Sequence, residues 1–304
     1  MDIAKTIRLA PGHYVLAVSG GVDSMVLLDI LSKLEVRNQK ISLTVAHFDH
    51  GIRPDSREDR KLIEEITRRY KLPFVYAEGA LGEGASEEQA RAARYKFLGD
   101  VQKNVQARGI ITAHHLDDVV ETATHNLLRG TGRKGMSSLK SVDGIIRPLL
   151  QVPKNHLLTY ARDNGLAWRE DSTNQDLRYK RNYIRHVILP KLRQSSPEKF
   201  HEFRTLIKRQ AELNQAIDAA LYSILHTQPE LQTLRRYDVI TLPHNVAREL
   251  VGEWLRLNGK REFNRRHLER ATVALKTAKP NTVLVLDGKY QLVFDTKHAR
   301  LVKS

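Results

Sequence analysis

Two hydrophobic rhythms alternate along the first half of the chain. Tyr14 to Val18 is a short apolar run rich in β-formers, which suits a strand buried on both faces. Val26, Leu27, Ile30, Leu31 and Leu34 then recur at helical spacing. The pair repeats. Ile41 to Ala46 predicts a second strand, and Leu62, Ile63, Ile66 and Tyr70 the inward face of a helix capped by Asp55 or Ser56. Pro73 to Ala77 predicts a third strand, and Glu78 to Ala85, with its glycines, a loop. Ser86-Glu87-Glu88-Gln89 is a capping box that opens a long helix with Ala90, Ala93, Phe97, Leu98, Val101 and Val105 inward. Gly109 to Ala113 predicts a fourth strand, a helix follows over Asp117 to Arg129, and Ile145-Ile146 is a short fifth strand. A helix over Lys154 to Asn164 comes next. This alternation predicts an α/β fold, a Rossmann-like parallel five-stranded sheet with right-handed crossovers in the order 3-2-1-4-5.

The rhythm changes near Leu177. Leu177 to Gln210 holds ten Lys/Arg against two acids, and Pro190 and Ser195-Ser196-Pro197 mark a boundary. Phe203, Leu206, Ile207, Leu213, Ile217, Leu221 and Leu225 then predict one long helix, followed by helices over Asn245 to Leu257 and Arg266 to Thr277. Thr282 to Leu286 and Tyr290 to Asp295 flank Asp287-Gly288-Lys289, a hairpin signal. The reading is therefore residues 1–194 as one domain and 195–304 as a second, mostly helical domain ending in a β-hairpin.

The first strand stops at Ser19-Gly20-Gly21-Val22-Asp23-Ser24, at the mouth of the first helix. Two glycines permit a sharp turn and close approach of an anion, and the helix start offers unpaired N–H groups to it. Ser19 and Ser24 add hydroxyls. Asp23 has the wrong sign to touch phosphate, so a magnesium ion between them is the natural reading. The string is neither GxxxxGK[ST] nor GxGxxG.

A second cluster is His114-His115-Leu116-Asp117-Asp118-Val119-Val120-Glu121. Asp118 with Glu121 fits an acidic helix start; on one helical face they also suit a cationic substrate, and two His with three acids leave a metal site open. Arg91 and Arg94 share a helix face, read either as a solvated face or as a fork for phosphate. Arg129-Gly130-Thr131-Gly132-Arg133-Lys134-Gly135 reads equally as a glycine helix stop or as a flexible basic loop over phosphate. Arg178, Lys180, Arg181 and Arg185 mix with Tyr179 and Tyr183, a density that favours RNA, with basic groups on phosphates and rings on bases.

Composition sharpens this. In 304 residues, 50 Lys+Arg against 35 Asp+Glu leave a net charge of +15, which points to a polyanion larger than a nucleotide. The absence of cysteine excludes disulfides, thiolate zinc sites, iron–sulfur clusters and cysteine nucleophiles. No apolar run reaches about 18 residues and the first residues lack a signal-peptide core, so a cytoplasmic location is expected. Oligomeric state stays open, a homodimer included.

SGGVDS after an apolar strand resembles the PP-loop of the ATP pyrophosphatase superfamily. In order, SGGVDS, HFDHGIRPDSREDR, SEEQARAARYKFL, TAHHLDDVVET, LLRGTGRKGMSSL, RPLLQVPKNHLLTYARDNG and EDSTNQDLRYKRNYIRHVILPKL resemble the tRNA(Ile)-lysidine synthetase family over Gly12 to Leu192. Some members of that family carry a further C-terminal domain, for which this chain is too short. The resemblance implies that ATP adenylates C2 of the wobble cytidine in the CAU anticodon of tRNA(Ile), releasing pyrophosphate. Free L-lysine then displaces AMP, changing the specificity from Met to Ile. It implies ATP on Ser19, Gly20, Gly21, Val22, Asp23, Ser24 and His47, with Mg2+ at Asp23. It implies catalysis by Asp23, Arg94, His114 and Asp118, lysine on Asp118 and Glu121, and tRNA on Arg133, Lys134, Arg178, Arg181 and Arg185. The rivals are another PP-loop tRNA modification such as thiolation, which normally uses cysteines, an amidating ligase on a small metabolite, and an RNA-binding module with an inactive PP-loop.

Overall fold

The computed structural model describes residues 2–37, 40–51, 56–79, 86–142, 144–169, 176–260 and 263–303. The expected cap at Asp55 or the Ser56 side chain, and the glycine-containing stretch 80–85, lie outside the described residues. Two compact units divide between Ala211 and Glu212.

In the first unit β1 (Gly12–Ala17), β2 (Ile41–Asp49), β3 (Phe74–Glu78), β4 (Gly109–Ile111) and β5 (Ile145–Ile146) form one sheet in the order β3-β2-β1-β4-β5. All its pairings are parallel, with Leu16 opposite Val45 on one side and Ile111 on the other. The order is the one that the sequence rhythm predicts. Side chains of β1 alternate between two cores, as the period of a strand requires. Tyr14 and Leu16 pack with Met25, Val26 and Ile30 of α1 (Val22–Arg37), Ile63 of α2 (Ser56–Arg69), and Leu157 and Ala161 of α6 (Lys154–Asp163). Val15 packs on the other face with Leu98 and Val101 of α3 (Glu87–Asn104). Ser86 caps α3 as expected: Gln89 N donates to Ser86 Oγ at 3.2 Å, and Ser86 N to Gln89 Oε1 at 2.9 Å. The strand order switches direction between β1 and β4, and the ends of these two strands face one crevice.

Between β4 and α6 lie α4 (Leu116–Leu128) and α5 (Arg133–Met136). Gly130, with φ +72°, stops α4 as one of the two readings of this stretch had it, and α5 is a helical turn where the other had a flexible loop. Asn126 Nδ2 donates to Gly135 O at 2.7 Å, and a Cβ on Gly135 would collide with Thr131 Oγ1, so the turn is packed shut. After α6 come α7 (Lys180–Tyr183), a π-helical turn (Ile184–Ile188), α8 (Leu189–Ser195) and α9 (Pro197–His226). The boundary expected at 194/195 moves into α9. Phe200 and Ile207 of α9 join Val120, Ala123, Ile184 and Leu189 in a core of the first unit, whereas Leu221 and Leu225 belong to the core of the second.

The second unit contains α10 (Arg236–Ile240), α11 (His244–Leu257) and α12 (Arg265–Thr277). Its β6 (Thr233–Arg235), β7 (Val283–Asp287), β8 (Tyr290–Phe294) and β9 (His298–Lys303) form an antiparallel sheet in the order β6-β9-β8-β7. The expected hairpin is β7–β8. Asp287 Oδ1 accepts from Lys289 N and Tyr290 N at 2.9 Å each, the turn chemistry that Asp-Gly supplies. The pattern did not predict β6 and β9. They complete a sheet packed on Trp254, Leu250 and Leu275.

Candidate active site

The strand β1 ends at Ala17, and Ser19 to Ser24 carries the chain into α1. Gly20 has φ +87°, a region that side chains avoid. A Cβ there would also meet Asp59 Cβ at 3.5 Å. Its carbonyl accepts from Arg169 N at 3.0 Å, and Arg169 pairs with Asp59 Oδ1 at 2.7 Å, so α2 and the chain after α6 both fix the turn. Ser24 Oγ donates to Gly21 O at 2.9 Å and accepts from Ser19 N at 3.2 Å, which closes the loop over the first turn of α1. That turn, where a helix start leaves N–H groups without intrahelical partners, lines a cavity of about 710 Å³.

Ser19, Gly21, Val22, Asp23 and Ser24 line this cavity, as do His47, Arg94, His114, Asp118 and Arg185. Most of the residues expected for nucleotide and catalysis are therefore brought together. Gly20 shapes the turn from behind. At the end of β2, His47 Nδ1 donates to Val18 O at 2.9 Å, which leaves its buried Nε2 as an acceptor with no partner. Burial lowers the His47 pKa and keeps the ring neutral, so Nε2 fits a donor on an incoming ligand.

One wall is basic. Arg94 lines the cavity, and both it and Arg91 of the same helix lie over the Tyr95 ring, 5.5 and 4.8 Å from the centroid. The buried Arg147 reaches the same phenol at 3.4 Å. Burial, together with Arg147, Arg94 and Arg91, pushes the His114 pKa down to about 3, so His114 is neutral. Its Nδ1 lies 2.9 Å from Thr112 Oγ1.

A second group in the cavity is acidic and paired. Lys154 Nζ, at the start of α6, donates to both Asp23 oxygens at 2.6 and 2.7 Å. His115 Nε2 stands 3.5 Å from Asp23 Oδ2 and 3.4 Å from Asp118 Oδ2, between the two acids. Burial works against charge on His115, yet Asp23 and Asp118 raise its pKa above the ordinary value. Burial also opposes charge on Asp23, but His115 and Lys154 hold it below the usual carboxylate range.

Capping and function meet at Asp118, but the box differs from the expected one. Asp118 Oδ2 accepts from His115 N at 2.9 Å, so His115 and Asp118 form it, not Asp118 and Glu121. Glu121 is only 2% exposed and accepts from Arg181 Nε at 2.7 Å and Arg185 Nε at 2.8 Å. Arg185 Nη2 also reaches Asp118 Oδ1 at 3.4 Å. The two carboxylates assigned to an amine thus pair with two of the arginines assigned to RNA. Arg185 and His186 stand on the π-helical turn, whose changed register aims both into the cavity. Arg178 is exposed and paired with Asp176, its Nη2 2.6 Å from Oδ2. Arg133 and Lys134 stand half-buried on α5, away from the cavity lining.

Sequence reasoning missed Lys154, His115 as a bridge, Trp168 and Arg169, all of which line or adjoin the cavity. For magnesium, no cluster of three His, Cys, Asp or Glu side chains with ligating geometry occurs among the described residues. Asp23 can contribute one carboxylate once Lys154 releases it, the rest coming from phosphate and water, which is how Mg2+ commonly binds.

The family model described as the PP-loop domain matches residues 3–192. This chain belongs to the PP-loop family. Within that match stand the glycine cradle, the cluster from His114 to Glu121 and Lys154. Relatives named tRNA(Ile)-lysidine synthase include that of Thermotoga maritima, 40% identical over 61% of this chain and 46% of the relative. That of Geobacter sulfurreducens is 38% identical over 76% of this chain and 49% of the relative. The Thermus thermophilus relative is 39% identical, covering 68% and 43%. The chain thus spans about half the length of the curated relatives it matches. A solved U34-tRNA thiolase, NcsA from Methanococcus maripaludis with its [4Fe-4S] cluster, matches 69% of this chain and 77% of its own, with TM-score 0.57 at 17% identity, a likeness of fold.

Proposed function

We propose that this PP-loop protein is a tRNA(Ile)-lysidine synthase. It uses ATP to adenylate the C2 oxygen of the wobble cytidine in the CAU anticodon of tRNA(Ile), and then joins the ε-amine of free L-lysine to C2 with loss of AMP. The observation that carries the reading is the adjacency of the phosphate cradle and the second acid. The Asp23 and Asp118 carboxylates both stand within 3.5 Å of one atom, His115 Nε2, and both line the same cavity.

The chemistry assigns roles along that cavity. The N–H groups and hydroxyls of Ser19 to Ser24 take the phosphates, and His47 Nε2 accepts from the nucleoside. A magnesium held by Asp23 and phosphate oxygens would supply charge neutralisation on the departing pyrophosphate. Arg94 and neutral His114 face the pyrimidine and its new phosphate ester. Asp118, with Glu121 behind it, orients the lysine ammonium. Arg133, Lys134 and Arg178 contribute to the tRNA surface of the first unit, while Arg181 and Arg185 are held on Glu121. In the second unit Arg248, Arg265, Arg266 and Arg270 crowd a shallow cavity of about 540 Å³ around His244 and Glu269, a basic surface suited to RNA phosphates. The lack of cysteine separates this reading from thiolation. The described residues contain no helix long and apolar enough to cross a membrane, and a tRNA substrate implies a cytoplasmic location.

The test is incubation with ATP, labelled lysine and total tRNA. Label should enter tRNA, with AMP and pyrophosphate formed in equal amounts. Label that stays free, or ATP cleaved at the same rate without tRNA, overturns the proposal.

A further inference from the structure

We propose that Lys154 is a phosphate-binding catalytic residue. It is held on Asp23 in the nucleotide-free protein and exchanges that carboxylate for phosphate oxygens when a nucleotide enters. The proposal rests on the nucleotide reading of the PP-loop, and is independent of which nucleophile or amine follows.

Three observations converge. Lys154 Nζ contacts both oxygens of Asp23, the second residue of α1, so the ammonium already lies at the mouth of the phosphate cradle. Lys154, Asp23, Ser19, Gly21 and Ser24 line one cavity, so the ammonium, its carboxylate partner and the cradle open onto the same space. The pair is only part-buried, with side chains 33% and 27% exposed, and such a pair is weak enough to exchange. The four-carbon stem springs from the first residue of α6, whose backbone N is fixed by Asp117 Oδ2 at 2.8 Å. The base of the stem is anchored while the ammonium turns.

The electrostatics require such a group. The cradle offers hydroxyls and N–H dipoles, but a triphosphate concentrates several negative charges there. Two other cations of the cavity have carboxylate partners outside Ser19 to Ser24: Arg169 on Glu58 and Asp59, Arg185 on Glu121 and Asp118. Lys154 is bonded to the cradle's own acid. When the ammonium leaves, two things happen together. The phosphates gain a cation, and Asp23 becomes available to the metal that accompanies the nucleotide. During cleavage the substrate oxygen bonds to the α-phosphorus while the bond from that phosphorus to the bridging oxygen breaks. The electron pair departs with pyrophosphate, and Lys154, keeping its proton, offsets the charge gathering there.

Calorimetric titration with α,β-methylene-ATP, which cannot be cleaved at that bond, and with adenosine tests this on the full chain. Lys154→Ala and Lys154→Met should weaken the analogue by about tenfold or more, as removal of a charge-assisted hydrogen bond does, and leave adenosine within about twofold. Lys154→Arg should recover part of the affinity. Equal weakening of both ligands would assign Lys154 a merely structural part, and an unchanged analogue affinity would mean that it stays on Asp23; either overturns the proposal. A wild-type protein that binds adenosine but not the analogue would sink the phosphate cradle and this proposal with it. If the analogue result holds while no lysine enters tRNA, the lysidine reading falls and the Lys154 assignment stands.

Discussion

Asp29 offers the sharpest test of how the active-site helix is held. It lies on the inner face of α1 and is 3% exposed. Its carboxylate accepts from Tyr70 Oη at 2.6 Å, from Tyr160 Oη at 2.6 Å and from Lys33 Nζ at 2.7 Å. Tyr160 belongs to α6, the helix that starts at Lys154, so one buried acid ties the cradle helix to the helix that carries its cation. Hydrogen bonds to a charged acceptor contribute about 1.5–3 kcal/mol each. Tyr160→Phe and Tyr70→Phe should each cost about 2 kcal/mol, a shift of about 4–8 °C in Tm for a unit of this size. Lys33 is 46% exposed, so Lys33→Ala should cost less than about 1 kcal/mol. Asp29→Ala should cost about 3–5 kcal/mol, since it strands both phenols. Burial opposes ionisation of Asp29, but Lys33, Tyr160 and Tyr70 hold its pKa below the ordinary value. A depressed carboxylate stabilises above its unfolded pKa, and the contribution vanishes as pH falls through the folded one. The cost of Asp29→Asn should therefore shrink below about pH 4. Urea unfolding followed at Trp168, with Trp254→Phe as a common background, reads the first unit alone. Tyrosine variants within about 0.5 kcal/mol of the parent, or a Lys33→Ala cost larger than theirs, would refute the argument.

Asp118→Asn should raise the KM for lysine by about tenfold or more while binding of α,β-methylene-ATP survives; an unchanged lysine dependence removes Asp118 from the amine site. Asp23→Ala should cut AMP formation by about 100-fold or more, as removal of a transition-state electrostatic group does, and near-normal rates would contradict its role at the phosphates. The tRNA affinity should fall steeply with salt, and replacing Arg265, Arg266 and Arg270 by Ala should lower the log–log slope by about one for each arginine that neutralises a phosphate; an unchanged slope would clear that surface of RNA. His114, neutral when folded down to about pH 3, binds a proton in the unfolded chain below about pH 6.5, so folded stability should fall with pH across that window. His114→Asn should flatten that slope, and a slope unaltered in urea titrations at pH 4 and 7 would show that His114 is protonated in the fold.

How much of this was legible depends on distance along the chain. The strand order followed from local rhythm, because each strand and helix signals itself within about ten residues. The cradle was legible for the same reason: strand, glycine pair and helix start are contiguous. The capping reading of Asp118 was legible in kind but not in register, since the helix begins at Leu116 and the box closes on His115 N. β6 escaped because Thr233–Arg235 is too short to show a period, whereas β9 carries an alternation, Ala299 and Leu301 in and His298 and Arg300 out, that was overlooked.

The pairings that decide the site's charge were out of reach for a different reason. Lys154 meets Asp23 across 131 residues, and Arg181 meets Glu121 across 60. Neither spacing has a local period, so a count of charges sees a basic chain where the fold sees matched pairs. One signal was available. Lys154 is the first residue of α6, at the positive end of the helix dipole, where a cation is disfavoured by about 0.3–1 kcal/mol. A lysine placed against that dipole needs an anion nearby, and in this protein the nearest is the cradle's own acid. Arg181 and Arg185, in the segment that composition alone assigns to RNA, gave no such signal, because their partner Glu121 is buried in α4. Local sequence reports which residues are charged; only the closed fold reports which of those charges are already matched, as Lys154 is with Asp23 and Arg181 with Glu121.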